Sequence, residues 1–202
     1  MPMFPLGTVL FPYALLPLHV FEPRYRLMMR RVLDGDREFG VVLIERGSEV
    51  GGGDIRFDVG TVARVVQAAE LPDGRFALAT VGVRRVRVRR WLEDDPYPRA
   101  DVVALADRPA VARDAAARER VVALLRQVTE LARRIDSRVS APPALDADPL
   151  RASYEAAAAA PIGPLDAQRL LEADGADGRL RMLAELLAER VVDLRAHLDS
   201  GE

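Results

Sequence analysis

Two residue types with distinctive chemistry are absent from this 202-residue sequence, cysteine and lysine. Without cysteine the chain has no disulfide framework, no thiolate nucleophile and no cysteine-based zinc site. Without lysine it has no Schiff-base amine, no Ser-Lys dyad and no P-loop lysine. The basic residues are therefore all arginine, and several enzyme classes are excluded for this chain.

Histidine is scarce, and the two that occur, His19 and His197, lie at opposite ends of the sequence, outside any HExxH spacing. No serine stands in a GxSxG elbow. We therefore predict no metal, no cofactor and no catalytic residue. A Ser-His-Asp triad assembled from distant positions stays open, because spatial neighbours are not visible in sequence.

Long apolar runs and a strong net charge are also lacking. No stretch reaches the ~20 apolar residues of a membrane-spanning helix, and the N-terminus lacks the basic segment of a signal peptide. The 29 basic and 31 acidic residues nearly cancel, so no overall field attracts nucleic acid or an anionic membrane. We expect a soluble cytoplasmic protein without a membrane partner.

The first half of the chain has the pattern of a β-rich domain. Four stretches rich in Val, Ile, Phe and Thr are predicted as strands: Phe39–Glu45, Ile55–Ala69, Arg75–Trp91 and Arg99–Leu105. The glycines Gly51–Gly53 indicate a loop between strands, and Pro72-Asp73-Gly74 indicates a hairpin turn. Pro23 is suited to begin a helix that Gly35 ends, with Tyr25, Met28, Met29, Val32 and Leu33 on one face.

The second half is predicted to be helical. A long amphipathic segment carries an apolar stripe of Val121, Leu124, Leu125, Val128, Leu131, Ala132, Ile135 and Val139. Three further helices are expected over Pro149–Ala160, Leu165–Ala173 and Gly178–Leu198. The sequence thus predicts an α+β protein, with a β-rich subdomain over residues 1–108 and a helical bundle over residues 109–202.

A local arginine cluster supports two interpretations. Arg85, Arg87 and Arg89 alternate with Val86 and Val88 ahead of Trp91, the one tryptophan. Arginine beside an aromatic ring is typical of single-stranded RNA binding. The favoured alternative is a solvated strand face whose arginines pair with neighbouring acids, because the chain lacks an overall basic footprint.

The N-terminal run from Phe4 to Tyr25 is the strongest candidate for a binding site. Its prolines favour extended backbone, and its apolar density requires burial or a groove. We interpret Phe4 to Leu18 as proline-bounded strands, followed by the amphipathic helix. The predicted peptide groove lies at their junction and comprises His19, Phe21, Glu22, Arg24 and Tyr25. Glu22 and Arg24 are expected to pair or cap near the helix start.

The blocks FPLGTVLFP, LPLHVFEPRYRLM, FGVVLIERG and VGTVARV, in this order, resemble the Lon N-terminal domain, also called the LON substrate-binding domain. The segments DAQRLLE and GRL in the second half are similar to that family's closing helices. The resemblance implies a PUA-like β-rich pseudo-barrel followed by a helical bundle.

The same resemblance implies a stand-alone, non-catalytic bacterial module without ATPase or peptidase parts. Its partners would be unfolded or exposed apolar protein segments, or one specific protein, held by hydrophobic burial and by exposed strand edges. RNA binding by Arg85, Arg87, Arg89 and Trp91 is the alternative. The sequence does not specify an oligomeric state.

Overall fold

The computed structural model describes residues 1–47, 55–108 and 115–200. The chain divides into a β-rich unit, Met1–Ala106, and a helical unit, Asp107–Glu202. The β-rich unit contains β1 (Met3–Leu6), β2 (Leu15–Val20), α1 (Pro23–Asp34), β3 (Glu38–Arg46), β4 (Ile55–Glu70), β5 (Phe76–Leu92) and β6 (Arg99–Ala104). The predicted α+β class is confirmed, while the predicted Gly51–Gly53 loop lies outside the described residues.

The strands of the β-rich unit form a nearly closed ring. Within the described residues the sheet order is β1-β3-β4-β5-β2, and β6 also pairs with β5. The N-terminus then joins β6, since the Met1 amino group donates to the Ala100 carbonyl at 2.9 Å and the Met3 N–H donates to the Pro98 carbonyl at 2.8 Å. The path β1-β3-β4-β5-β6 thereby returns to β1 as a pseudo-barrel. Strand β2 lies outside this ring as an edge strand.

A long hairpin joins β4 to β5, as the Pro72-Asp73-Gly74 turn predicts. Gly74 has φ 78°, a left-handed conformation that glycine adopts without a steric cost. The pairing shifts register between Val62 and Ala63 and between Val65 and Gln67. Such bulges change which side chains share a face, and the second one shapes the surface described below.

Helix α1 covers the inner side of the sheet. It begins at Pro23 and ends at Asp34 ahead of Gly35, as predicted, and buries Tyr25, Met28, Met29 and Val32. The ring of Tyr25 stacks on that of Phe4 with centroids 4.3 Å apart. These side chains join one apolar cluster with residues of all the strands from β1 to β5. Burial of this apolar surface is the main stabilising term for the unit.

The helical unit contains α2 (Ala115–Ile135), α3 (Pro149–Ala159), α4 (Pro164–Glu172) and α5 (Gly175–Ser200). The extension of the α2 stripe to Val139 is wrong, since the helix ends at Ile135. Beyond it the Arg138 N–H donates to Asp136 Oδ1 and the Val139 N–H to the Asp136 carbonyl, which form a turn in place of helical bonds. Ile135 is largely exposed. Within the described residues, no helix combines the length and the hydrophobicity that a bilayer span requires.

The centre of the helical unit is an arginine, Arg179, which is fully buried. Its guanidinium donates to Ser153 Oγ at 2.7 Å, to the Leu170 carbonyl at 3.0 Å and to Asp107 Oδ1 at 2.9 Å. It also lies 3.6 Å above the ring of Tyr154. A buried charge requires such partners, and here they connect α3, α4 and α5 with residue 107.

Candidate functional site

The side chains of β2 alternate between the core and the solvent. Leu16, Leu18 and Val20 pack toward the apolar cluster, whereas Leu15, Pro17 and His19 point outward. Leu15 is 75% exposed, although leucine is usually buried. His19, a predicted site residue, therefore stands at the end of an outward row that is otherwise apolar.

The segment between β2 and α1 continues this exposed surface. Phe21 is 55% exposed, directly before the proline that begins α1. Arg24 Nε donates to Glu22 Oε2 at 3.1 Å, which confirms the predicted pairing at the helix start. Glu22 forms no side-chain cap to the helix. We call His19, Phe21, Glu22 and Arg24 the junction surface.

Tyr25 is a correction to the predicted groove. It is 2% exposed and stacks on Phe4 inside the core, so its ring is not available to a ligand on this surface. The guanidinium of Arg24 covers it at 4.5 Å from the ring centroid. The apolar stripe of α1 correctly predicts this burial, and the assignment of Tyr25 to the groove is wrong.

An apolar surface that sequence reasoning missed lies on the outside of the sheet. β5 lies between β2 and β4, and its outward residues pair on both sides: Ala79 pairs with Pro17 of β2 and Gln67 of β4, and Ala77 pairs with His19 of β2 and Ala69 of β4. The bulge in β4 places exposed Val66 on the same side as Gln67. We call this set the outer sheet face: Leu15, Pro17, His19, Val66, Gln67, Ala69, Ala77, Ala79 and Val81.

One end of the outer sheet face is bordered by a charged cluster. Glu38, at the start of β3, accepts hydrogen bonds from Arg64 at 2.7 Å and from Arg84 at 2.9 Å. The Arg84 hydrogen bond, supported by the one from Arg64, outweighs burial and lowers the pKa of Glu38 below its ordinary value. Glu38 is therefore ionised, and the two arginines leave the cluster with one net positive charge.

The arginine-rich part of β5, from Arg84 to Arg90, does not form the continuous solvent-exposed arginine face that the RNA interpretation requires. Arg87 and Arg89 are exposed, but Arg85 is 3% exposed, and its assignment to a solvent-facing row is wrong. The chain after β6 folds over Arg85, whose guanidinium donates to the Ala106 carbonyl at 3.3 Å while its own carbonyl accepts from Leu105. Arg84 and Arg90 pair with Glu38 and Asp101, as the solvated-face interpretation predicts.

Trp91, the aromatic residue of that interpretation, is engaged within the fold. The guanidinium of Arg56 lies 4.9 Å from its ring centroid. Its indole Nε1 donates to Asp58 Oδ1 at 3.2 Å, and Arg56 also pairs with Asp94 at 3.0 Å. One face of the Trp91 ring is therefore covered by an arginine of the same chain.

Ser153 and Asp148, two polar residues of the helical unit, have structural roles. Ser153, which is fully buried, donates to the Leu150 carbonyl at 2.7 Å and accepts from Arg179. Asp148 caps α3 by accepting from the Arg151 N–H. Across residues 1–47, 55–108 and 115–200, no group of three His, Asp or Glu residues is placed to hold a metal ion.

An exposed apolar face on a soluble domain is typical of an interaction surface. The family model of the ATP-dependent protease La (LON) substrate-binding domain matches residues 1–189, and this chain belongs to that family. The resemblance drawn from the sequence is confirmed.

Two curated relatives show how much of a longer protein the match covers. The Lon protease of Cytophaga hutchinsonii is 35% identical over 138 residues, which are 67% of this chain and 16% of that protein. Lon protease 2 of Herpetosiphon aurantiacus is 29% identical over 208 residues, covering 99% of this chain and 25% of that protein. The chain thus spans a quarter or less of the length of these relatives.

Solved structures agree with the fold. A Lon N-terminal domain protein from Xanthomonas campestris superposes with a TM-score of 0.65 at 26% identity, covering 93% of this chain and 96% of that one. The N-terminal domain of the Mycobacterium avium complex Lon protease gives a TM-score of 0.66 at 18% identity, covering 93% and 97%, and so supports the fold alone.

Proposed function

We propose that this chain is a non-catalytic module that binds exposed apolar segments of protein substrates at the junction surface. The observation that carries the proposal is the exposure of Phe21, 55%, beside the outward row of β2. A large aromatic side chain held in water between a strand and a helix is costly unless a partner covers it. Membership of the LON substrate-binding family supports the same function.

The composition of the chain supports the non-catalytic part of the proposal. A segment without lysine provides neither a Ser-Lys dyad nor a P-loop lysine. Binding would rest on hydrophobic contact by Phe21, with His19 and the Glu22–Arg24 pair as a polar rim. This division into apolar contact and polar rim is the usual anatomy of protein interfaces.

The test is fluorescence anisotropy with a permanently unfolded probe, reduced and carboxymethylated α-lactalbumin, compared with the same protein in its native form. We expect the unfolded form to bind and the native form to bind weakly. Phe21→Ser should reduce affinity at least fivefold, and Leu165→Ser, which removes an exposed leucine of α4, should leave it unchanged. Equal binding of both probe forms, or equal affinity of Phe21→Ser and the unmodified chain, would contradict the proposal.

A further inference from the structure

Strand β2 is a free edge, yet its backbone is poorly suited to receive an added strand. In the part of the chain that the structure describes, β2 pairs only with β5. The Gly82 N–H donates to the Ala14 carbonyl, and antiparallel pairing alternates, so Leu15, Pro17 and His19 present their backbone groups to the open side. Pro17 has no N–H to donate there. A proline at the centre of an edge strand is a typical barrier to strand addition.

The outer sheet face offers side chains instead. Its central strand, β5, carries the small residues Ala77 and Ala79, and larger residues flank them, Pro17 and His19 on β2 and Gln67 on β4. The side chains of this face are therefore shortest at Ala77 and Ala79. Leu15 and Val66 at its border are 75% and 55% exposed. A contiguous apolar trough of this kind is suited to receive large apolar side chains of a partner.

The charges around the trough are unequal. Glu38 is the carboxylate that both arginines bind, and they remain 53% (Arg64) and 46% (Arg84) exposed. The exposed carboxylate of Asp36, which accepts from the Glu38 N–H at 3.3 Å, is offset by the exposed Arg37 next to it in the chain. No described residue of the outer sheet face itself is acidic. A partner chain therefore meets an apolar surface that ends at a net positive charge. A carboxylate of the partner near this end is attracted to the arginines.

We propose that the outer sheet face is a second part of the binding site, and that it takes an apolar protein segment flanked on one side by acidic residues. This inference rests on the proposed function, because His19 belongs to both surfaces. The apolar side chains lie over Ala77 and Ala79, and the acidic flank meets Arg64 and Arg84. Recognition is by side chains across three strands rather than by strand addition along β2.

The test uses three short labelled peptides with the same leucine- and phenylalanine-rich centre and with an acidic, a neutral or a basic flank. Anisotropy is measured with the whole chain at low and at physiological salt. We expect the acidic peptide to bind about fivefold more tightly than the basic one at low salt, and this preference to shrink as salt screens the charges.

Variants separate the two elements of the site. Ala79→Glu should lower the affinity for all three peptides at least tenfold. Val66→Glu, at a more exposed position, should lower the affinity as much, and it provides the test if Ala79→Glu fails to fold. Arg84→Gln should remove the preference for the acidic flank while Arg64 still holds Glu38. The matched controls are Ala196→Glu, on an exposed position of α5, and Arg87→Gln, an exposed arginine of β5, and both should bind like the unmodified chain.

The remaining outcomes each overturn a stated claim. If Phe21→Ser weakens binding but Ala79→Glu and Val66→Glu do not, the proposed function stands and the outer sheet face is not part of the binding site. If those two variants weaken binding without any flank preference, the acidic specificity is wrong. If no peptide and no unfolded protein binds the unmodified chain, the proposed function fails and this inference fails with it.

Discussion

The guanidinium of Arg179 donates a 2.9 Å hydrogen bond to Asp107, and both side chains are withdrawn from solvent, with Arg179 at 0% and Asp107 at 13% exposure. Asp107 also accepts from the Tyr154 hydroxyl at 2.7 Å. One buried ion pair thus connects residue 107 with α3 and α5. Its partners satisfy one another, which is the condition under which a buried pair is tolerated.

Arg179→Met should strongly destabilise the helical unit, because it leaves the carboxylate of Asp107 without its cation and the Leu170 carbonyl without its donor. Removing one partner of a buried pair costs about 3–5 kcal/mol. Urea unfolding followed by far-UV circular dichroism measures the loss. Arg195→Met, at an exposed position of the same helix, is the control and should change the free energy of unfolding by less than about 0.5 kcal/mol.

Glu38→Gln should lower stability in a pH-dependent way. The folded pKa of Glu38 lies below its unfolded value, so its contribution is complete above the unfolded pKa and is lost as the pH falls through the folded pKa. The unfolded pKa of a glutamate is about 4.3, so the loss in the variant should be full near neutral pH and should shrink as the pH falls through the lower, folded pKa of Glu38. We expect about 1.5–3 kcal/mol at the upper end, for hydrogen bonds to a charged group.

Urea unfolding of the Glu38→Gln variant and the unmodified chain at several pH values provides the check. A difference that stays constant from neutral pH to strong acid would show that the carboxylate charge is irrelevant. Glu45→Gln, an exposed position near the other end of β3, is the matched control.

Gly82→Ala should destabilise the β-rich unit. A Cβ at Gly82 would lie 2.1 Å from the carbonyl oxygen of Phe11, a backbone atom that cannot move away cheaply. Overpacking of this kind costs about 1–3 kcal/mol. Gly178→Ala, in α5 with no atom within 4 Å of the added carbon, should instead stabilise by up to about 1 kcal/mol. Thermal unfolding of both variants should give shifts of opposite sign.

The variants Arg85→Gln and Arg87→Gln should differ in stability, although the sequence alternation places both arginines on the same side of the strand. Arg85 is buried and donates to the Ala106 carbonyl, so its loss should cost about 1–3 kcal/mol. Arg87 is exposed, and its replacement should be nearly neutral. Urea unfolding distinguishes them. Equal stabilities would show that Arg85 contributes no more than a surface residue, and a loss of RNA retention in both variants would revive the RNA interpretation.

The elements that sequence predicts well are those governed by local pattern. Alternation predicts the four strands from β3 to β6, and the apolar spacing after Pro23 predicts α1 with Tyr25 in its buried face. The pairing of Glu22 with Arg24 follows from their proximity in the chain. In each case the signal is contained within a few consecutive residues.

The features that the sequence does not predict depend on contacts between residues that are far apart in the chain. Arg85 forms hydrogen bonds with residues 105 and 106, and Glu38 is bound by arginines on two other strands. The outer sheet face exists only because the register places Ala77 and Ala79 between β2 and β4. The burial of Arg179 does have a local signal, because the residue stands four residues before Leu183, on the apolar side of α5.

The central claim is that protein segments bind on the β2 side of the β-rich unit, and site-specific photocrosslinking tests it most directly. A photoreactive phenylalanine analogue is placed singly at positions 21 and 66, and at positions 165 and 192 of the helical unit, all four exposed and apolar in the native chain. With the unfolded probe, we predict crosslinks from positions 21 and 66 and background levels from 165 and 192. Crosslinks from 165 or 192 together with background levels from 21 and 66 would contradict the account.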